Sequence, residues 1–315
     1  MDWTHRLRLR HLQMLLSVAQ TGNLSQSADA LNTTQPALSK WLKDLEEDIG
    51  LPLFERHARG LRPTPFGEAL IEHARRIEGH LDSARDDMLA MRDGGSGLVS
   101  IGTSGVSAAD TVPLAVAKLI ERMPRAQVRL VESTMNAMMP QLVNGEIDIV
   151  VGRAANALPD PALQTETLYR DPVNFVVGLQ HPLAGKTAVD WNDLFDYAWI
   201  VWPPGTPIRG ALESALAAVG HVMPRHCVES NSSMLNVTLL NQANLIGVAS
   251  HRAAVRFEQL NVLRVLAMPM PLGSAGAVAM YWRPDSVSRH GVALALDCLR
   301  AAAYASPWVG LEKIE

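Results

Sequence analysis

Gln35, Ser39, Lys40 and Lys43 are the first residues of this 315-residue chain whose types and spacing could do chemistry. On a helix over residues 34–48 they lie opposite Leu38, Leu42 and Leu45, so polar side chains share the outward face. A glutamine can pair bidentately with adenine, a serine can read either partner, and a lysine reaches guanine or phosphate. Arg56, His57, Arg59 and Arg62 follow within residues 54–63, which predicts a two-stranded wing turned at Ala58-Arg59-Gly60. Its cations suit phosphate or minor-groove contacts. A different chemistry is spelled further on. Gly102-Thr103-Ser104-Gly105-Val106-Ser107, Pro203-Pro204-Gly205-Thr206-Pro207-Ile208-Arg209 and Ser230-Asn231-Ser232-Ser233-Met234 each precede a candidate helix. Helix N-termini bearing hydroxyls and backbone N–H groups favour an anion, with Arg153 and Arg209 as candidate counter-charges. Any one of these hydroxyls is ordinarily a helix cap worth about 1 kcal/mol without a ligand. Their convergence on one cleft is what makes Thr103, Ser104, Thr206 and Ser232, with Arg153 and Arg209, candidate contacts to a small molecule.

The elements that must position the first set read as helix-turn-helix grammar. Helices are expected over residues 7–21, 24–31 and 34–48, with Gly22-Asn23 ending one and capping the next. Ala28 is small where two helices cross, Leu31, Leu38 and Trp41 are buried positions, and Pro36 sits in the first helical turn. Asn32 occupies the turn where glycine is common, and it tolerates the left-handed region. The string Ala28-Asp29-Ala30-Leu31-Asn32-Thr33-Thr34-Gln35-Pro36-Ala37-Leu38-Ser39-Lys40 continues with Leu45-Glu46, Gly50, Leu53-Phe54-Glu55-Arg56 and Thr64-Pro65-Phe66-Gly67. It resembles the LysR-type transcriptional regulators, and the resemblance extends over essentially the whole chain. It implies DNA contacts at Gln35, Pro36, Ser39 and Lys40, with Arg56 in the wing.

A helix over residues 66–92 would span roughly 40 Å at 1.5 Å per residue. Leu70, Ala74, Ile77, Leu81, Ala84, Met88 and Met91 step along it by alternating fours and threes, a heptad seam that predicts a dimer. Asp93-Gly94-Gly95-Ser96-Gly97 reads as a hinge. Beyond it, strand candidates at 99–103, 128–132, 147–152, 174–178, 199–202, 246–249 and 278–282 alternate with helices at 112–123, 137–144, 208–219 and 234–243, implying parallel sheets flanked by helices. The expected fold is therefore multidomain, α plus α/β. It comprises a winged helix-turn-helix (1–65), a dimerising linker helix (66–92), a hinge (93–97) and an effector-binding domain (98–315). The resemblance implies that this last domain is like periplasmic binding proteins, with subdomain one at 98–168 plus 270–315 and subdomain two at 169–269. The effector would lie between them, at strand C-terminal ends. A carboxylate, a sulfonate or a sugar acid would each fit.

Composition narrows the partners. A net charge of −4 excludes DNA binding by bulk charge, and residues 1–65 hold 8 Lys and Arg against 7 Asp and Glu. Any attraction to DNA must come from local grouping on the recognition helix and wing. No apolar run reaches the roughly 20 residues of a membrane span, and the N-terminus lacks a signal-peptide core, so a cytoplasmic protein is expected. Metalloprotease, P-loop and nucleophile-elbow motifs are missing, so no enzyme, metal or cofactor is expected. His181, His221 and His226 read as loop or surface residues. Cys227 and Cys298, 71 residues apart, read as small hydrophobes and not as a redox pair. The expected partners are double-stranded DNA at an interrupted palindrome, a small organic anion, and the chain itself as a homodimer. The resemblance adds a homotetramer, and RNA polymerase is a further candidate.

Overall fold

The computed structural model describes residues 3–57, 60–92, 97–153, 162–268 and 277–305. Two compact units divide the chain near residue 86.

The first unit opens with a 3₁₀ turn (Trp3–Arg6) and three helices, α1 (Leu9–Thr21), α2 (Leu24–Ala30) and α3 (Gln35–Ile49). Local chemistry fixes their ends. Asn23 accepts the Ser25 and Gln26 N–H groups at the start of α2, Thr34 accepts that of Ala37, and Gly22 and Gly50 close α1 and α3 in left-handed geometry. Asn32 turns the chain between α2 and α3 at φ +51°. Two short strands, β1 (Phe54–His57) and β2 (Gly60–Pro63), pair antiparallel with His57 opposite Gly60. Arg59 lies outside the described residues. The 28-residue helix α4 (Pro65–Arg92) follows. Its foot joins the core of α1 and α3: Ile71 and Ala74 pack with Leu15, Val18, Leu38 and Leu53. The expected seam diverges from that core, because Ile77, Leu81 and Met88 are exposed within this one chain. Trp41, expected to be buried, is half-buried against the His11 ring.

The second unit holds two five-stranded sheets. One runs β4 (Gln127–Glu132), β3 (Leu98–Thr103), β5 (Ile149–Arg153), β12 (Ala277–Trp282), β6 (Gln164–Arg170). Strands β3, β4 and β5 are parallel, whereas β12 is antiparallel to both its neighbours. Around this sheet lie α5 (Gly105–Ala108), α6 (Thr111–Arg122), α7 (Met135–Asn144) and α12 (His290–Ala305). The other sheet runs β11 (Leu263–Val265), β7 (Val173–Gly178), β10 (Leu245–Ser250), β8 (Ala198–Val201), β9 (Cys227–Glu229), with α8 (Trp191–Phe195), α9 (Pro207–Ala218), α10 (Ser233–Gln242) and α11 (His251–Gln259). Each sheet has its own core, one around Leu119, Met280 and Leu299, the other around Phe175, Trp199 and Leu212. The chain passes from the first sheet to the second at residues 171–172 and returns after β11.

Strands β6, β9 and β11 are additions to the sequence-based expectation. One side-chain reading needs correction and one is refined: His181 lies in a loop, as expected, though not at the surface. His181 is buried, because its turn folds the ring against Tyr197 at 4.5 Å and its Nδ1 accepts the Leu183 N–H. Cys298 is a core hydrophobe, as expected, but Cys227 is exposed on the edge strand β9.

Candidate functional site

In the first unit, packing of α3 through Leu38, Leu42 and Leu45 leaves Gln35, Pro36, Lys40 and Lys43 exposed and Ser39 half-buried. Proline at the start costs the helix nothing, since that N–H would have no partner anyway. Lys43 pairs with Glu47 at 3.5 Å, so part of its charge is answered within the helix. Arg56 is exposed on β1. The wing is tied to α3 by Glu46, whose Oε1 accepts the N–H groups of Leu53 at 2.7 Å and Phe54 at 3.1 Å. Gly67 closes the same corner: a Cβ there would stand 2.0 Å from the Leu53 carbonyl oxygen. Recognition helix, wing and the foot of α4 are therefore held as one piece.

In the second unit, a cavity of about 550 Å³ opens beside the C-terminal ends of β3, β4, β5 and β8. Ser104 and Arg153 line it from the first sheet, together with the segment from Glu132 to Asn136. The second sheet contributes Trp202, the loop from Pro203 to Thr206, and Asn231 to Met234. The Trp202 indole is fixed, since its Nε1 donates to the Val248 carbonyl at 3.1 Å.

The candidate residues divide clearly. Ser104 faces the cavity with its hydroxyl buried and without a partner. Thr206 lines it while donating to the Pro203 carbonyl, and Ser232 lines it while capping α10 through the Leu235 N–H. Thr103 does not line it. Its hydroxyl turns into the protein and bonds the Ser107 hydroxyl at 2.8 Å. The Ser104 N–H is also taken, since it donates to the Val151 carbonyl. Arg209 is also turned away, toward Glu213 and the Trp202 carbonyl.

Arg153 is the charged group with unmet demand. Only 2% exposed, it bonds the Asp171 carbonyl through Nη2, with an Asp171 carboxylate oxygen 3.3 Å away. Among the described residues, its Nε and Nη1 are buried without a partner. Burial pushes the guanidinium below the usual arginine range, against the upward pull of Asp171 and Tyr169. A buried cation with free donors is costly, and an anion in the cavity would offset that cost.

Residues 92–303 match the family described as LysR substrate binding domain, and residues 9–68 match the bacterial regulatory helix-turn-helix protein, lysR family. The chain belongs to the LysR family of transcriptional regulators. The HTH-type transcriptional regulator GbpR of Azospirillum brasilense is 30% identical over 95% of this chain and 87% of its own. YdcI of Escherichia coli K12, a regulator described as uncharacterized, is 28% identical over 95% and 96%. Among solved structures, CbnR aligns at TM-score 0.65 over 94% of this chain and 99% of its own, at 19% identity. A full-length OxyR from Pseudomonas aeruginosa aligns at 0.62 over 98% and 99%, at 20% identity. The LysR fold thus covers 94–98% of the chain, and this protein is a DNA-binding regulator with a substrate-binding domain, not an enzyme.

Sequence reasoning missed three features of this LysR protein. Ser133-Thr134, between the end of β4 at Glu132 and the start of α7 at Met135, follows a strand and precedes a helix, the same grammar that singled out the other three loops. Gly152 matters because a Cβ there would stand 2.4 Å from Ser104 Oγ and 2.6 Å from Met135 Sδ, so a larger residue would displace side chains that line the cavity. The third feature is Arg252. Borne on α11, it donates to Asp110, Thr111 and the Ala303 carbonyl, and it lies 3.5 Å over the Tyr169 ring.

Proposed function

We propose that this LysR regulator senses a small organic anion in the cavity between its two α/β layers. The single observation that supports this reading is Arg153, buried at the cavity wall with two nitrogens that have no partner among the described residues. Ser104, Thr206 and Ser232 line the same cavity and supply hydroxyls for the rest of the ligand. Thr103 and Arg209 act indirectly, by holding the loop after β3 and the start of α9.

The regulator acts in the cytoplasm as a dimer joined along the exposed seam of α4, and its two recognition helices address an interrupted palindrome. Gln35 and Ser39 read bases, Pro36 packs beside them, and Lys40, Lys43, Arg56 and Arg59 hold phosphates. Two dimers join as a tetramer on DNA and present it to RNA polymerase. The effector acts through its differential affinity for two arrangements of the dimers.

The test is a thermal-shift screen of the full-length protein against small carboxylates, sulfonates and sugar acids. A ligand at about 100 times its Kd stabilises by about 2.7 kcal/mol, enough to register. The expected hit is an anion whose shift disappears in Arg153→Gln. A hit retained in that variant would place the ligand elsewhere.

A further inference from the structure

Among the described residues, two ionic side chains line the cavity, and they have opposite signs. Arg153 ends β5 and Glu132 ends β4, with β3 between them; Thr103 faces both Glu132 and Val151 in register. Two strand spacings across the sheet and two residues along it separate their backbones, about 12 Å, a span that a small molecule lying over the strand ends can bridge. Glu132 is exposed and makes no hydrogen bond or ion pair with any described residue. Its position within the cavity is marked by Gly105. A methyl group there would stand 3.6 Å from Glu132 Oε1, 3.1 Å from Ser233 Oγ and 3.2 Å from the Trp202 ring. A carboxylate, a hydroxyl and an aromatic edge therefore meet over Gly105, at the start of α5.

We infer that Glu132 is a charge filter. The effector carries one anionic group, taken by Arg153 and Ser104, and presents hydroxyl or N–H donors, not a second anion, to Glu132. The inference rests on the anion-sensing reading above and names the ligand class: a hydroxylated or amino monocarboxylate. A compact monoanion completes the two free nitrogens of Arg153. A dianion of the same length brings its second charge against an unpaired carboxylate, and like charges at close range repel. A hydroxyl in that place instead donates to Glu132, a charge-assisted hydrogen bond.

The test uses pairs of probes that differ only in the second charge: gluconate against glucarate, and 4-hydroxybenzoate against terephthalate. Each is titrated into the full-length protein to about 20 mM, a range that reports even millimolar Kd values as thermal shifts. The monoanion of a pair should bind at least about tenfold more tightly than its dianion. Glu132→Gln, an isosteric change at an exposed position, should leave the unliganded midpoint unchanged and close most of that gap by strengthening the dianion. Equal or tighter binding of the dianion to the wild type, or an unchanged ratio in Glu132→Gln, would overturn the filter alone. No shift from any of the four probes, or shifts that survive Arg153→Gln, would overturn the anion-sensing reading beneath it.

Discussion

The Asp171 carboxylate stands between two arginines: one oxygen lies 3.3 Å from the Arg153 guanidinium, and the other accepts the backbone N–H of Arg252 at 3.1 Å. Arg153 lines the cavity, while the Arg252 guanidinium reaches Thr111, Tyr169 and Ala303 around the first sheet. One buried acid therefore joins the ligand-facing cation to the start of α11, a helix of the second sheet. Burial pushes its carboxyl above the ordinary range, although both arginines pull it down.

Asp171→Asn should show how far the two arginines depend on that charge. Arg153 would remain buried without a counter-ion, a loss of about 3–5 kcal/mol by analogy with broken buried pairs. An anionic ligand would then supply the missing charge. The expected outcome is a lower thermal midpoint without ligand and a larger ligand-induced shift than in the wild type. A smaller shift in Asp171→Asn would mean that Asp171 positions Arg153 for the ligand and does not compete for it.

On the recognition helix, Gln35→Ala and Ser39→Ala should relax base preference at one position each, by about 1–3 kcal/mol for a bidentate contact. Neither should unfold the domain, because the core of α3 rests on Leu38, Leu42 and Leu45. Lys40→Ala should instead weaken binding to all sequences and lower the salt slope by about 1. Titrations with the operator and with unrelated DNA at several salt concentrations separate these behaviours. An unchanged slope in Lys40→Ala would show that this lysine does not reach a phosphate.

Glu46→Ala removes the acceptor for two wing N–H groups at once. Leaving buried donors unmet costs about 1–3 kcal/mol each, so the midpoint of the first unit should fall. DNA affinity should fall further than stability requires, since Arg56 sits two residues beyond the pinned Phe54 N–H. Glu46→Gln, which keeps an acceptor oxygen, should recover most of both losses. Failure of the glutamine to rescue would indicate that charge, and not the pair of hydrogen bonds, holds the wing.

The readable parts of this protein are those whose cause is local. Thr34, Pro36 and Gly50 bracket α3 by capping chemistry, and the Leu38 to Leu45 spacing fixes its buried face, so the DNA-facing side follows from the sequence. Strands β6 and β9 escape because their residues do not alternate: Gln164–Arg170 is mostly polar, and every residue of Cys227–Glu229 is exposed. Thr103 and Ser104 are adjacent hydroxyls of which only one faces the cavity. Which one depends on the packing where β3 ends, something a count of hydroxyls does not contain. Arg252 meets Thr111 across 141 residues, and a lone arginine on a short helix carries no mark of such a partner.

His181 carries a pH dependence whose sign follows from its hydrogen bond. Its Nδ1 accepts the Leu183 N–H at 3.1 Å, so the neutral ring bears its proton on Nε2, which is buried without a partner. Protonation would set a hydrogen on Nδ1 against the Leu183 N–H. Burial accordingly pushes the imidazole below its ordinary value of 6.5. The unfolded chain then takes up a proton that the folded domain refuses. The contribution of His181 to stability is complete above the unfolded value and is lost as pH falls from about 6.5 through the lower folded value. Thermal midpoints of the full-length protein measured between about pH 5 and 8 should therefore decline on the acid side, and His181→Asn should flatten that decline. Asparagine offers a side-chain oxygen to the Leu183 N–H without a titrating ring. If His181→Asn retains the full acid loss, the dependence belongs to another group and the His181 ring is protonated without harm to its turn.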